Sequence, residues 1–444
     1  MRTSPRLSPP LLPLVAATVV GVVVTALSLL VLPDASTGPP PPPAPPSASA
    51  AGPLAPLPPG EELLIASGVD ESSKKAREQA VREWNDKHRN IPARIVPVAG
   101  NADRQRDQFK SLLDPTKPDD VDIVNLDSVH VAEFADAAAD GSPPLLAALD
   151  ASAPDVPNPI TEDMLRDFLP NPLLTCYWKN RLYALPYNSD VGLLFFQAGT
   201  APPKTAAELP RALAADPAVP RRVAIQLSRD EAFVVNILEQ LLAVDPKLLN
   251  KNGTPPRVVQ EDWEKALAVV QAEVRAGRLY YPGGKGEGSA EEKTARAFER
   301  KEAAAMRNWP VWFGEIQPQP EVRRLFGPGI LGGQNLAVAA KSRHKAQAIE
   351  LIRFLTSAET QRKLLLDGRF VPTTESAYKS PQAQSIPYIG ELLAAVKEAR
   401  PRPITPNYYE VSSVIIENLY PAVTEGQHGQ LPATFERKLQ DALD

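Results

Sequence analysis

Glu62-Leu-Leu-Ile-Ala-Ser67, Arg94-Ile-Val-Pro-Val98 and Val121-Asp-Ile-Val-Asn-Leu126 are three short apolar runs, and what lies between them decides the fold. After the first run, Ser72 or Ser73 can cap a helix whose apolar positions Ala76, Ala80, Val81 and Trp84 share one face. After the second, Asp103 to Leu113 carries Phe109, Leu112 and Leu113 at helical spacing. The third run ends at Asp127. Strand, helix, strand, helix, strand is the opening of a doubly wound α/β sheet with helices on both faces. In such sheets ligands bind beyond the carboxyl ends of the strands, which is where Asp70, Glu71 and Asp127 fall. Asp70 and Glu71 also suit a helix N-terminus, whose dipole favours acids.

Downstream the alternation continues with other spacings. A strand is expected at Arg222 to Gln226, helices at Glu231–Ala243, Glu261–Ala276 and Glu291–Arg300, and strand-type returns at Met306–Phe313 and Gly332–Ala340. Surface helices follow at Lys345–Thr356 and Ser357–Asp367. A second lobe is implied, and the length outside the N-terminal region fits two.

Upstream, Leu11 to Leu32 holds 22 uncharged residues, about 33 Å of helix, enough to cross a bilayer's hydrocarbon core. Arg2 and Arg6 precede this stretch and no Lys or Arg follows until Lys74, so residues 1–10 are expected in the cytoplasm and the folded part outside. A cleaved signal peptide is the competing reading, but its apolar region is usually shorter and ends at a small-residue site, and here the Ser47–Ala51 run lies far downstream. No Cys lies near the stretch to carry a lipid. Residues 33–60 contain twelve prolines and are expected to form a semi-rigid spacer.

Composition excludes several functions. With 48 Lys plus Arg against 53 Asp plus Glu and a formal net charge of -5, the chain has no basic stripe to neutralise phosphates, so nucleic acid is not an expected partner. Cys176 stands alone, and His88, His130, His344 and His428 are too scattered for metal-ligand spacing. No cofactor is expected. The run Gly283-Gly-Lys-Gly-Glu-Gly288 lacks Walker spacing and does not follow a strand, so it reads as a surface loop. No nucleophile elbow is present, and no enzymatic constellation stands out.

Several longer segments carry a family resemblance. They are Pro118-Asp-Asp-Val-Asp-Ile-Val-Asn-Leu-Asp127 with Ala132-Glu-Phe-Ala135, Leu182-Tyr-Ala-Leu-Pro-Tyr-Asn-Ser-Asp190 with Leu193-Leu-Phe-Phe196, and Phe298 with Ala303-Ala-Ala-Met-Arg-Asn-Trp-Pro310. Gly332-Gly-Gln-Asn-Leu-Ala-Val338, Phe354-Leu-Thr-Ser-Ala-Glu-Thr-Gln361 and Arg400-Pro-Arg-Pro-Ile-Thr-Pro-Asn-Tyr-Tyr409 complete the set. In this order they resemble bacterial extracellular solute-binding proteins of family 1, the sugar-binding components of ABC importers related to trehalose and maltose receptors, over residues 62 to 444.

The resemblance implies a two-lobed, hinged periplasmic-binding-protein-like fold that closes on a small solute, with ABC permease subunits as partners. It implies a first lobe of residues 61–190 and 330–379 and a second of 191–329 and 380–444, with crossings near Asp190, Gly329 and Ser380. The sugar-contacting positions carry over to Asp127, Asp190 and Trp309, and also to Glu231, Arg400 and Tyr408. Carboxylates accept hydrogen bonds from sugar hydroxyls, and an indole offers a flat apolar face to a pyranose. Two positions depart from the pattern: where the family usually has Trp, this chain has His130 and Gln334. Losing two stacking faces points to a more polar ligand or weaker disaccharide binding. His130 could form a pH-sensitive patch with Asp127 or face the helix that follows it. Two alternatives stand beside transport: a ligand-sensing or scaffold ectodomain of the same fold, and a hydrolase using Asp127 with Asp190.

Overall fold

The structure, a computed structural model, describes residues 54–444 except 71, 73, 99–101, 119–120, 137–140, 152–155, 157, 284–287 and 427–429. The expected cytoplasmic N-terminus and membrane anchor, most of the proline-rich spacer, Glu71, Ser73, His428 and the middle of the glycine-rich loop lie outside the described residues. Among the described residues no helix is long and apolar enough to cross a membrane.

The opening pattern folds as its spacing demands. Strand Leu63–Gly68 lies between Ala93–Val98 and Ile123–Asp127, parallel to both. Its Leu63, Ile65 and Ala66 are buried, as are Ile123, Val124 and Leu126, because helices cover both faces of the sheet. Helix Ala76–Lys87 buries Ala76, Ala80, Val81 and Trp84. Ser72 Oγ accepts the Ala76 N–H at 3.0 Å, and Asp70 accepts the N–H groups of Ser72 and Arg77, so the acid organises the turn into the helix. Helix Ala102–Leu113 buries Phe109 and Leu113.

The long strand Ile330–Val338 joins this sheet antiparallel to Ile123–Asp127, and Ala184–Asp190 pairs antiparallel along its other side. Arg400–Pro401 runs parallel to its first two residues. The register slips between Gln334 and Asn335, a bulge reached through Gly333 at φ +106°. A Cβ at Gly333 would sit 2.1 Å from the Asn188 carbonyl oxygen, so a side chain has no room there.

A second sheet has the order Glu321–Arg324, Leu193–Phe196, Ala305–Asn308, Val223–Ala224, Leu279–Tyr280. Only two residues, Val191 and Gly192, separate its Leu193–Phe196 strand from Ala184–Asp190 of the first sheet. Helices Glu231–Val244, Gln260–Arg275, Tyr408–Thr424 and Phe435–Leu443 supply a core on this side through Phe233, Trp263, Tyr408 and Phe435. Tyr378, Ile389 and Leu392 pack with Leu193, Phe195, Met306 and Phe313 in a further cluster.

Three expectations need correction. Met306–Phe313 is not one strand: the strand stops at Asn308, and Pro310–Gly314 is a 3-10 turn, since Pro310 has no N–H for a ladder. The Arg222–Gln226 strand shortens to Val223–Ala224, although Ile225 N–H still reaches the Tyr280 carbonyl at 2.8 Å. The end of the proline-rich stretch is part of the folded body: Leu57 is buried in the first core and its N–H donates to Asn90 O at 3.0 Å.

Candidate functional site

Asp127 ends its strand at the carboxyl edge of the first sheet, and its Oδ1 accepts the Val129 N–H at 3.3 Å, capping the turn Ser128–His130. Glu231 opens helix Glu231–Val244 on the second sheet's side, where Asp230 caps the same helix by accepting the Ala232 N–H. One guanidinium joins them. Arg402 lies just past Arg400–Pro401; its Nη2 is 2.7 Å from Asp127 Oδ1 and its Nη1 is 2.7 Å from Glu231 Oε1. The Arg402 side chain is 2% exposed. Tyr408 OH also donates to Glu231 Oε1, and Ser412 Oγ donates to Oε2 at 2.8 Å. A second contact between the two sides has the Arg106 guanidinium 4.6 Å from the Tyr409 ring centroid.

The charges in this cluster depend on one another. Burial alone works against the Arg402 cation, but Asp127, Tyr408 and Glu231 outweigh it and raise its pKa above the ordinary value. Burial pushes the Glu231 carboxyl above the usual range, with Arg402 and Tyr408 pulling against it. The Tyr408 hydroxyl is pushed well up by burial and by the neighbouring Glu231. The void enclosed by Asp127, His130, Glu231, Tyr408, Tyr409 and Ser412 measures about 10 Å³, room for about one water. As arranged, the acids therefore grip the chain's own guanidinium.

The other expected residues distribute unevenly. His130 faces the following helix: its Nδ1 is 3.6 Å from Glu133 Oε2 and its ring stacks on Phe134, although it also borders the small void with Asp127. Gln334 lies opposite Asp127 in register, but its side-chain oxygen accepts from Asn125 Nδ2 at 3.1 Å and from Arg77. Asp190 and Trp309 converge on Gly332, where an added Cβ would lie 3.4 Å from Asp190 Cβ and 3.5 Å from the Trp309 ring. The Arg307 guanidinium lies 3.8 Å from the centroid of the Trp309 ring, a cation–π contact. Arg400 is turned elsewhere, bound to the carbonyls of Pro246 and Leu249.

Structure thus gathers Asp127, Glu231 and Tyr408 around a residue the sequence did not single out, Arg402, with Ser412 beside it. Arg77 was also missed; it is buried, donates to Asn188 Oδ1 at 3.1 Å and lies 4.4 Å from the Phe370 ring centroid. The available signal was the pair of arginines in Arg400-Pro-Arg402-Pro, with no way to tell which would reach the two acids.

Comparison with known proteins places this geometry. A family profile described as bacterial extracellular solute-binding protein matches residues 79–389. A probable ABC transporter-binding protein of Deinococcus radiodurans is 27% identical over 289 residues, covering 55% of this chain and 65% of the relative, just under two thirds of its length. Among solved structures, maltose-bound MalE3 of T. maritima superposes with a TM-score of 0.68 at 24% identity, covering 86% of this chain and 98% of that one. The GacH receptor of Streptomyces glaucescens, solved unliganded and with acarbose, gives 0.69 at 20% identity over 86% and 97%. At these identities the superpositions establish the two-lobed α/β fold. The profile match, which spans most of the chain, shows that this chain belongs to the bacterial extracellular solute-binding proteins, a family that binds its solutes and is not one of enzymes.

Proposed function

We propose that the chain is a membrane-tethered extracellular receptor that captures a small carbohydrate by cleft closure and delivers it to the permease subunits of an ABC importer. The observation that carries this function is the Asp127–Arg402–Glu231 bridge, because it brings acids from the two sheets' sides to one point. A solute that replaces those contacts, or adds to them from Asp190 and Trp309, favours the closed arrangement by its differential affinity for it. The relatives support the solute class: one structure carries maltose, another acarbose, and a similar protein from Thermotoga lettingae carries α-D-tagatose. Tethering rests on the uncharged stretch from Leu11 to Leu32, and delivery on the Deinococcus relative's description.

The test is thermal unfolding of the purified full-length chain against mono- and oligosaccharides, polyols, amino acids and peptides. A solute at a hundredfold excess over its Kd adds about 2.7 kcal/mol to the folded state. A sugar-specific rise in midpoint, lost in Asp127→Ala and in Trp309→Ala, is the expected result. A cooperative transition that no sugar shifts would turn the assignment to a sensing or scaffold ectodomain, in which the acids serve only Arg402.

A further inference from the structure

A groove of about 600 Å³ that shares no lining residue with the Asp127 cluster lies between the edge strand Glu321–Arg324 with the residues that follow it, the end of helix Ile389–Glu398, and the turns at Lys204 and Lys251. Its lining carries six basic side chains, Lys204, Lys251, Arg323, Arg324, Lys397 and Arg400, against a single acid, Glu398. Four of the six already have partners. Arg323 donates to Pro203 O and pairs with Glu391; Arg324 pairs with Glu391 and Glu398; Lys397 is 3.5 Å from Glu375; Arg400 is held by two carbonyls.

Lys204 and Lys251 are different, for among the described residues neither ammonium has a hydrogen bond or an ion pair. Both are exposed, and both sit on backbone that is held from elsewhere. The Lys204 N–H donates to Glu208 Oε2 at 2.8 Å. Lys251 belongs to the turn before Gly253, whose carbonyl accepts the Ile404 N–H at 2.7 Å. Two uncompensated ammonium groups thus face a concavity whose remaining cations are already paired. An ammonium on a flexible stem is a point-charge partner for phosphate oxygens, and the volume falls within the range of small-molecule sites.

We propose that this groove is a second binding site, separate from the solute cleft, for a small oligo-anion carrying two or more phosphate groups, with Lys204 and Lys251 as its primary contacts. Two ammonium groups with no other partner ask for a ligand with at least two anionic groups, while the arginine-lined walls exclude a cation.

The probe is tripolyphosphate, titrated calorimetrically into the full-length chain at about 50 and 300 mM salt, with orthophosphate as the single-group comparison. Saturable one-to-one binding is expected, weaker at the higher salt and at least tenfold weaker for orthophosphate. The double variant Lys204→Glu/Lys251→Glu should bind tripolyphosphate at least tenfold more weakly. Lys438→Glu, an equal kind of charge change on helix Phe435–Leu443 outside the groove, should leave binding intact. Circular dichroism on each variant confirms that the fold persists. No saturable binding, or equal weakening by Lys204→Glu/Lys251→Glu and by Lys438→Glu, would overturn the proposal. Because the groove shares no residue with the Asp127 cluster, its failure leaves the sugar-receptor function untouched.

Discussion

Arg402 and Arg400 are two residues apart and share a side-chain type, yet their surroundings assign them different work. Arg402, itself buried, bridges two partly buried carboxylates, whereas Arg400 satisfies the carbonyls of Pro246 and Leu249. Removing one partner of a buried ion pair leaves the other charge uncompensated, which typically costs about 3 to 5 kcal/mol. Arg402→Ala is therefore expected to lower unfolding stability by about that amount in denaturant titration and to change solute affinity. Arg400→Ala leaves neutral carbonyls, at about 1 to 3 kcal/mol, and should leave affinity unchanged. Affinity that responds to Arg400→Ala but not to Arg402→Ala would contradict the geometry. Sequence could reach Asp127, Glu231 and Tyr408 because the segments that hold them resemble those of the family, and Asp127 and Glu231 also fall at an expected strand end and helix start. It could not reach the bridge, because the three partners lie 104 to 275 residues apart along the chain, and only the tertiary path of residues 400–408 brings them together.

Among the elements, the short helix Val131–Ala135 and the neighbouring helix Ala102–Leu113 are joined through Glu133, which takes Arg106, Lys110 and His130. Burial works against the Glu133 carboxylate, but the neighbouring His130 ring, 3.6 Å away, and the paired Arg106 and Lys110 outweigh it and hold the pKa at about 2. Its folded-state pKa lies below the ordinary carboxylate value, so the contribution is complete above about pH 4.5 and is lost as pH falls toward 2. The full shift corresponds to about 3 kcal/mol. Glu133→Gln should flatten that acid limb when stability is measured between pH 7 and 3; an unchanged slope would place the charge coupling elsewhere. Strand Ile330–Val338 illustrates a different limit. Its apolar returns were legible, but its bulge was not, since the sequence shows Gly332-Gly333 without saying which glycine takes positive φ. Gly333→Ala should cost about 3 kcal/mol or more in unfolding experiments, from a strained backbone together with a clash on Asn188. A loss under about 1 kcal/mol would mean the bulge relaxes.

At the scale of the whole molecule, the passages between the two sheets close on a buried ion pair of the second side. Arg307 donates to both oxygens of Glu239 at 2.8 and 2.7 Å, the two side chains are 1% and 0% exposed, and the Ile330 N–H points at Glu239 Oε1 from 3.4 Å. Gly192, between the strands that pass from the first sheet to the second, lies so close that a Cβ there would be 2.6 Å from Arg307 Nε and from Glu239 Oε1. Both passages between sheets, at residues 191–192 and at 330, therefore press on one pair of charges. Sequence patterning implied two lobes, because strand periodicity and length are local signals, while the places where the chain crosses came only from the family resemblance. That a charge pair underlies the crossings was not legible, since Arg307 and Glu239 are each unremarkable within a strand and a helix. If the pair fixes the angle between lobes, two variants should separate its roles. Glu239→Ala strands a buried guanidinium and should lose about 3 to 5 kcal/mol, whereas Glu239→Met/Arg307→Met should recover most of that loss through apolar packing. The double variant, stable but without a directional contact, should show a different radius of gyration by solution X-ray scattering and a smaller compaction on adding solute. A double variant that matches the native scattering in both states would reduce the pair to a packing element, with lobe angle set by the strands alone.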